Sequence, residues 1–189
     1  MLSGDPIEVS GYTRRSGSEE VPQVCLLSPS IQQLSKANNP VALVNVDKPL
    51  IFSLNPLNEI KISRDSKTIW RKTATVEKRI QGPIQWPLES MQPGSKLLLS
   101  LRPQGSSLGE EVKIELQASS KENLQKLDEL VKSLERNKSL WIQTINQQLT
   151  KDKNLALTLL FSEKAPQSRI LDKARSVLLK QQSCIRKNE

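Results

Sequence analysis

The chain has 189 residues, of which 36% are apolar and only 3% aromatic, and its 28 basic and 20 acidic side chains leave a net charge of +8. Histidine is absent, which removes the commonest general base, the Ser-His and Cys-His systems and most transition-metal sites in one step. Two cysteines cannot make a four-thiolate zinc site, and no apolar run reaches the roughly 20 residues of a membrane span.

A chain of this length can hold one domain with an appendage or two small domains, and its core must be built mainly of Leu, Ile and Val. Up to residue 118 there are 14 basic and 12 acidic residues, a charge of +2; from 119 onward there are 14 and 8, a charge of +6. The basic excess is therefore a property of one surface. Residues 1–22, centred on "RRSGSEE", read as a flexible leader with too little hydrophobicity to order itself. The leader lacks a charged segment followed by an apolar one, so it is not a signal peptide as written. A chain whose signal had been removed would start the same way, and the compartment stays open.

Short apolar runs then alternate with turn residues. Val41 to Val46 and Leu50 to Leu54 have strand length and composition, separated by Asp47-Lys48-Pro49. Ile60 and Ile62 alternate with charges before "RDSKT", and Ile69-Trp70 follows, the pattern of a hairpin. Val76 to Ile80 is weaker and is expected to stop at Gly82-Pro83, after which Ile84 and Trp86 share a face. Beyond Pro93-Gly94 come a strand from Lys96 to Arg102, the loop "PQGSSLGEE", and a strand in which Val112, Ile114 and Leu116 alternate with Lys113 and Glu115. Six or seven such strands predict a sandwich of antiparallel sheets.

The pattern turns helical at Ser119. Ser119 and Glu122 make a capping box, and Leu124, Leu127, Val131 and Leu134 recur at helical spacing. Further helical patterns cover Ser139 to Leu149 and Asn154 to Lys164, and a fourth starts after Pro166, placed as a first-turn residue, with Ile170, Leu171, Ala174, Val177 and Leu178 as its apolar set. The expected fold class is α+β: leader (1–22), antiparallel immunoglobulin-like β-sandwich (23–118), a module of about four helices (119–183) packed as two antiparallel hairpins, and a polar tail (184–189).

"MQPGSKL" resembles the L-x-P-G-x-x-Y corner of fibronectin type III and related immunoglobulin-like domains: Met91 stands at the Leu position, Pro93 and Gly94 match, and Leu97 replaces the tyrosine. Without that hydroxyl the corner would be held by packing alone. The resemblance covers roughly residues 40 to 118. More loosely, the layout is similar to uncharacterised secreted cyanobacterial proteins with a sandwich-like domain before a helical tail, where strands like "PLIFSLNP" and "TIW" and an "LxPG" turn follow in this order. That resemblance implies a cell-envelope location, periplasmic or secreted, and no established chemistry; a cytoplasmic location is the alternative. The last two helices also resemble one tetratricopeptide-type hairpin, but one unit makes no solenoid and the signature tryptophan and glycine are missing.

Cys25 and Cys184 each sit just inside a polar terminal segment. They are either two idle thiols or a disulfide closing nearly the whole fold into one loop. In the chain-entropy model such a bridge stabilises by about 3–5 kcal/mol, and it implies an oxidising compartment.

Little in the chain suits catalysis. Glu110-Glu111 lies in a Gly/Ser loop and Asp128-Glu129 on a helix among lysines, both patterns of solvated charge. "GSSLG" lacks the Lys-Ser/Thr of a phosphate loop, and Ser95-Lys96, as strand neighbours, point to opposite faces; Ser120-Lys121 is the other Ser-Lys pair. Trp70 and Trp86 read as sheet core and Trp141 as helix packing.

The feature that suggests binding is the basic C-terminal part: Lys164, Arg169, Lys173, Arg175, Lys180, Arg186 and Lys187. Arg169, Lys173 and Lys180 fall near one helical face, with Arg175 turned away, and such a stripe can meet an acidic protein, phosphates or anionic lipid, or simply be solvated. The reading is a non-enzymatic interaction or structural protein without metal or cofactor. It would bind a protein partner through sandwich loops and edges or the basic helical face. The alternative is a nucleic-acid-binding accessory protein using the C-terminal helices, weakened by the lack of aromatic stacking platforms.

Overall fold

The computed structural model describes residues 7–10, 23–31, 39–134, 137–162 and 164–180. Its strands are β1 (Ile7–Ser10), β2 (Gln23–Ser28), β3 (Val41–Val44), β4 (Ile51–Arg64), β5 (Lys67–Thr73), β6 (Ile80–Ile84), β7 (Lys96–Pro103) and β8 (Val112–Ala118). Four helices follow: α1 (Lys121–Leu134), α2 (Lys138–Lys151), α3 (Lys153–Leu160) and α4 (Arg169–Lys180). The α+β class is as expected. The sheet is not: in place of two packed antiparallel sheets there is one mixed sheet in the order β1-β2-β4-β7-β8-β3, curled into a half-barrel.

β4 organises this sheet. Its first half pairs with β2 and β6 and its second half with β5 and β7. Leu57 is in register with both Ile80 and Pro103, so β6 and β7 flank it on opposite edges. Residues 59–62 are flanked by β5 and β7 in the same way. β2 and β7 therefore share one edge of β4, and β5 and β6 the other. Pro56, which has no amide proton to give a ladder, falls in the gap between the residues paired to β2 and those paired to β7.

The β4–β5 turn matches its sequence pattern. Arg64 is in register with Lys67, and Asp65 and Ser66 both take positive φ, 49° and 66°, the two-residue turn whose twist matches the strands it joins. β7 and β8 pair as an antiparallel ladder from Lys96↔Gln117 to Leu101↔Val112. β3 makes the sheet mixed, because it runs parallel to β8 from Val41↔Glu115 to Val44↔Ala118. A pattern of turns predicts only pairings between chain neighbours, and β3 instead crosses the sheet to its far side. β1 lies within the segment read as a leader; pairing with β2, Ile7 opposite Leu26, supplies order that its composition does not.

Three further boundaries differ from expectation. Gly82-Pro83 does not stop a strand: β6 runs through both, with Gly82 at φ 80° and Pro83 paired to Phe52. A strand whose only partner among the described residues is β4 can spare Pro83's donor on its open edge. The α1 cap is Ser120 rather than Ser119; Ser120 Oγ accepts from the Asn123 amide at 3.4 Å, and Glu122 pairs with Lys126. Pro166 also precedes the first turn of α4, which opens at Ser168, whose carbonyl accepts from the Asp172 amide at 2.9 Å.

The apolar side chains form two clusters. One fills the curl of the sheet with Val24, Leu26, Val44, Ile51, Ile60, Ile62, Leu99, Ile114 and Leu116, together with Trp86; Trp70 packs against it half-buried. The other joins Cys25, Leu27, Leu50, Phe52 and Leu54 of the sheet to Leu134, Trp141, Ile145, Leu157, Leu160, Leu171 and Leu178 of the helices. The helices thus share a core with the outer face of β2 and of the start of β4. Phe52 meets Phe161 edge to face at 5.2 Å, an arrangement worth about 0.5–1.5 kcal/mol beyond its area.

Polar contacts seal the same junction. Asp152 caps α3 by accepting from the Leu155 amide at 3.0 Å, and its other oxygen accepts from Asn45 at 2.6 Å. Asn154, 2% exposed, accepts from the Ser30 amide at 2.6 Å and donates to the Leu43 carbonyl at 3.4 Å. Val44 turns its carbonyl toward β8, so the Leu43 carbonyl lies on the other edge of β3, which α3 thereby covers. Asn154→Ala strips the half-buried Ser30 amide of its acceptor and is expected to destabilise the fold by about 1–3 kcal/mol. In urea unfolding the midpoint should fall with the slope unchanged.

Candidate functional site

α4 is anchored along one stripe. Leu171 and Leu178 are buried, Ala174 is half-buried, and Arg175 Nε donates to the Leu160 carbonyl at the end of α3 at 2.7 Å. Arg175 Nη1 also pairs with Asp172 at 2.8 Å. The bond to Leu160 fixes the rotation of the helix against α3, and the pair within α4 occupies Asp172, the acid next to Lys173. Arg169, Lys173 and Lys180 are exposed, and none of the three has an ion pair or hydrogen bond among the described residues. At about 100° per residue they fall within a band about 40° wide, opposite Leu171 and Leu178.

The sequence misplaced two neighbours of this band. Ile170 and Val177, assigned to the packing set, are 61% and 44% exposed. A twelve-residue helix holding Ile170, Leu171, Ala174, Val177, Leu178 and Leu179 offers two overlapping apolar stripes about 100° apart. The Arg175 bond to α3 selects the one through Leu171 and Leu178. Leu179, 50% exposed, reaches β6, where its Cδ2 lies 3.5 Å from the position a Cβ on Gly82 would take.

The other residues singled out by sequence are not brought together. Lys164 is exposed, and Arg186, Lys187 and Cys184 lie outside the described residues. Cys25 is wholly buried on β2 and disulfide-bonded. Glu110 accepts from the Ser107 amide at 2.7 Å while Glu111 pairs with Lys61 at 2.5 Å. Asp128 pairs with Lys132. Ser95 Oγ is buried without a partner, and Lys96 pairs with Glu115 across the strands at 2.8 Å. Trp86 Nε1 donates to the Glu89 carbonyl, and Trp141 is 1% exposed in the helical core. An open groove of about 550 Å³ runs along α2, lined by Ser139, Ile142, Gln143, Asn146 and Gln147, none of them ionisable.

One ionic cluster was not anticipated. Glu59 on β4 is 2% exposed, takes a 2.5 Å hydrogen bond from Arg71 Nε, also pairs with Arg71 Nη2, and lies 3.5 Å from Lys61 Nζ, which bridges to Glu111. Burial alone would raise its carboxyl, but Arg71 and Lys61 outweigh that and hold it below the ordinary 4.5. The group sits on the outer face of the sheet and ties β5, β4 and the β7–β8 loop together, which is a structural role.

No protein-family model matches the sequence, and no curated protein or solved structure matches it. The electrostatics of the chain itself are open to test. Because the folded pKa of Glu59 lies below 4.5, its contribution is complete above about pH 4.5 and is lost as pH falls through the lower folded value. Glu122 and Asp128, held down by Lys126 and Lys132, act in the same direction. The difference between wild type and Glu59→Gln isolates the buried group. The variant is expected to be less stable at pH 7 by about 1–3 kcal/mol, with the gap closing below pH 4.5, as read from thermal unfolding across pH 7 to pH 3.

Proposed function

We propose that the chain is a non-enzymatic binding protein of the cell envelope that holds a protein partner on the outer face of α4. The observation carrying this reading is the row Arg169, Lys173 and Lys180, exposed and unpaired among the described residues, opposite the stripe that anchors the helix. Holding three like charges in one band without an acid among them is mildly unfavourable, and a partner's carboxylates would relieve it. The envelope location is supported by the disulfide at Cys25, since such bonds persist in oxidising compartments; Cys184 is its proposed partner. Kinship with immunoglobulin-like domains is supported by the Pro93-Gly94 corner, where Met91 and Leu97 are 4% and 3% exposed and Gly94 has φ 71°. Leu97 packs where those domains place a tyrosine.

Lys173→Glu with Lys180→Glu reverses two of the three charges at exposed positions and should leave the unfolding temperature unchanged. Protein captured by the wild-type chain and lost by the double variant, with nuclease treatment making no difference, is the expected outcome. Equal capture by both chains removes the α4 face, and nuclease-sensitive capture assigns it to nucleic acid. Intact mass of the non-reduced, alkylated protein from its own host tests the compartment: no alkylation of Cys25 or Cys184 is expected, whereas two alkylated thiols would place the protein in a reducing environment.

A further inference from the structure

The order of side chains around α4 narrows the kind of partner. The cation band is flanked on one side by Ile170 and Val177, about 60–80° away, and on the other by exposed Ser176 and by Asp172, which is paired to Arg175, with Leu179 about 100° away beyond them; Ile170, Val177 and Leu179 are large apolar side chains at 44% exposure or more. A helix that rests on an anionic lipid surface has the reverse order, an apolar centre with cations at its sides. Lowered onto a flat bilayer, α4 would press its three cations in first and hold Ile170 and Val177 away from the acyl region. Duplex phosphates need the cations but give the apolar flanks nothing to cover.

A concave protein surface uses both. Along the axis Arg169, Lys173 and Lys180 span about 17 Å at 1.5 Å per residue, the length of a short groove between two helices. Resting on the proposed role of α4, we infer that the partner presents an acidic groove with apolar walls. Its floor carboxylates meet Arg169, Lys173 and Lys180, and its walls close over Ile170 and Val177. The wall over Ile170 and Val177 excludes water from that side of the ion pairs, which strengthens them by lowering the local dielectric, and the contact takes the form of a charged row bordered along one side by apolar side chains.

The probe is a designed antiparallel two-helix hairpin with glutamates along its groove and leucines on both walls. A second hairpin with serine walls, vesicles of mixed phosphatidylglycerol and phosphatidylcholine, and a DNA duplex are offered to the same full-length chain. Tighter binding to the leucine-walled hairpin by about tenfold is expected, with a negative heat-capacity change, and neither vesicles nor duplex should compete. Ile170→Ser with Val177→Ser should abolish that preference at unchanged unfolding temperature; threonine at both positions repeats the test should serine disturb the fold.

Equal binding to the two hairpins, lost in Lys173→Glu with Lys180→Glu but not in Ile170→Ser with Val177→Ser, overturns the groove while leaving the basic face in place. Binding insensitive to the lysine pair overturns both readings. Preference for vesicles or duplex, or no binding to either hairpin, overturns the groove.

Discussion

The fold depends on one extra residue in β4. Between Leu57↔Pro103 and Glu59↔Arg102 the strand advances two residues while β7 advances one, so Asn58 is bulged. Before the bulge the odd-numbered Ile51 and Leu57 point into the curl of the sheet, and Leu50, Phe52 and Leu54 point outward under the helices. After it the parity reverses, and Ile60 and Ile62 point inward. A strand with period 2 can change faces only by such an insertion. The bulge lets a single strand serve two cores at its start and one core at its end.

That reversal also decides where charge can stand. Glu59 and Lys61 come to the outer face just where the helical layer no longer covers it, and Glu59 is neutralised there by Arg71 and Lys61. Were Asn58 paired in regular register rather than bulged, Glu59 would follow the parity of Ile51 and Leu57 into the inner core, where no cation of β5 could reach it. The same half of the sheet is then dry on one side and polar on the other, while the first half is apolar on both. The helices therefore have one place to dock, the face of Cys25, Leu27, Leu50, Phe52 and Leu54, and α3 is fixed there by Asp152 and Asn154.

What was legible in the sequence is what local rules determine. Asp65-Ser66 between alternating runs gave the β4–β5 hairpin, Val112 to Leu116 gave β8, and leucine spacing gave all four helices to within a few residues. Features set by distant partners were hidden. β3 joins β8 in parallel through bonds such as Glu115 N to the Pro40 carbonyl, which no spacing near Pro40 announces. Asn58 has no turn residue beside it to mark a bulge. Glu59 resembled any strand glutamate until Arg71, twelve residues away, folded over it. Of the exposed α4 face, the three cations could be aligned by counting, but the exposure of Ile170 and Val177 could not, because they are as consistent with a buried stripe as Leu171 and Leu178.

The choice between those stripes is made far from the residues it exposes. Arg175 is held by the Leu160 carbonyl at the end of α3, and α3 is held by Asn154 and Asp152 against β2 and β3. Turning α4 by one stripe, about 100°, would bury Ile170 and Val177 at the expense of that bond and carry Lys173 and Lys180 away from the face they now share with Arg169. The orientation of the basic row is thus set by a chain of contacts from β3 through α3 to Arg175. The apolar side chains left outside are its consequence: the helix has two apolar stripes and the sheet has room for one.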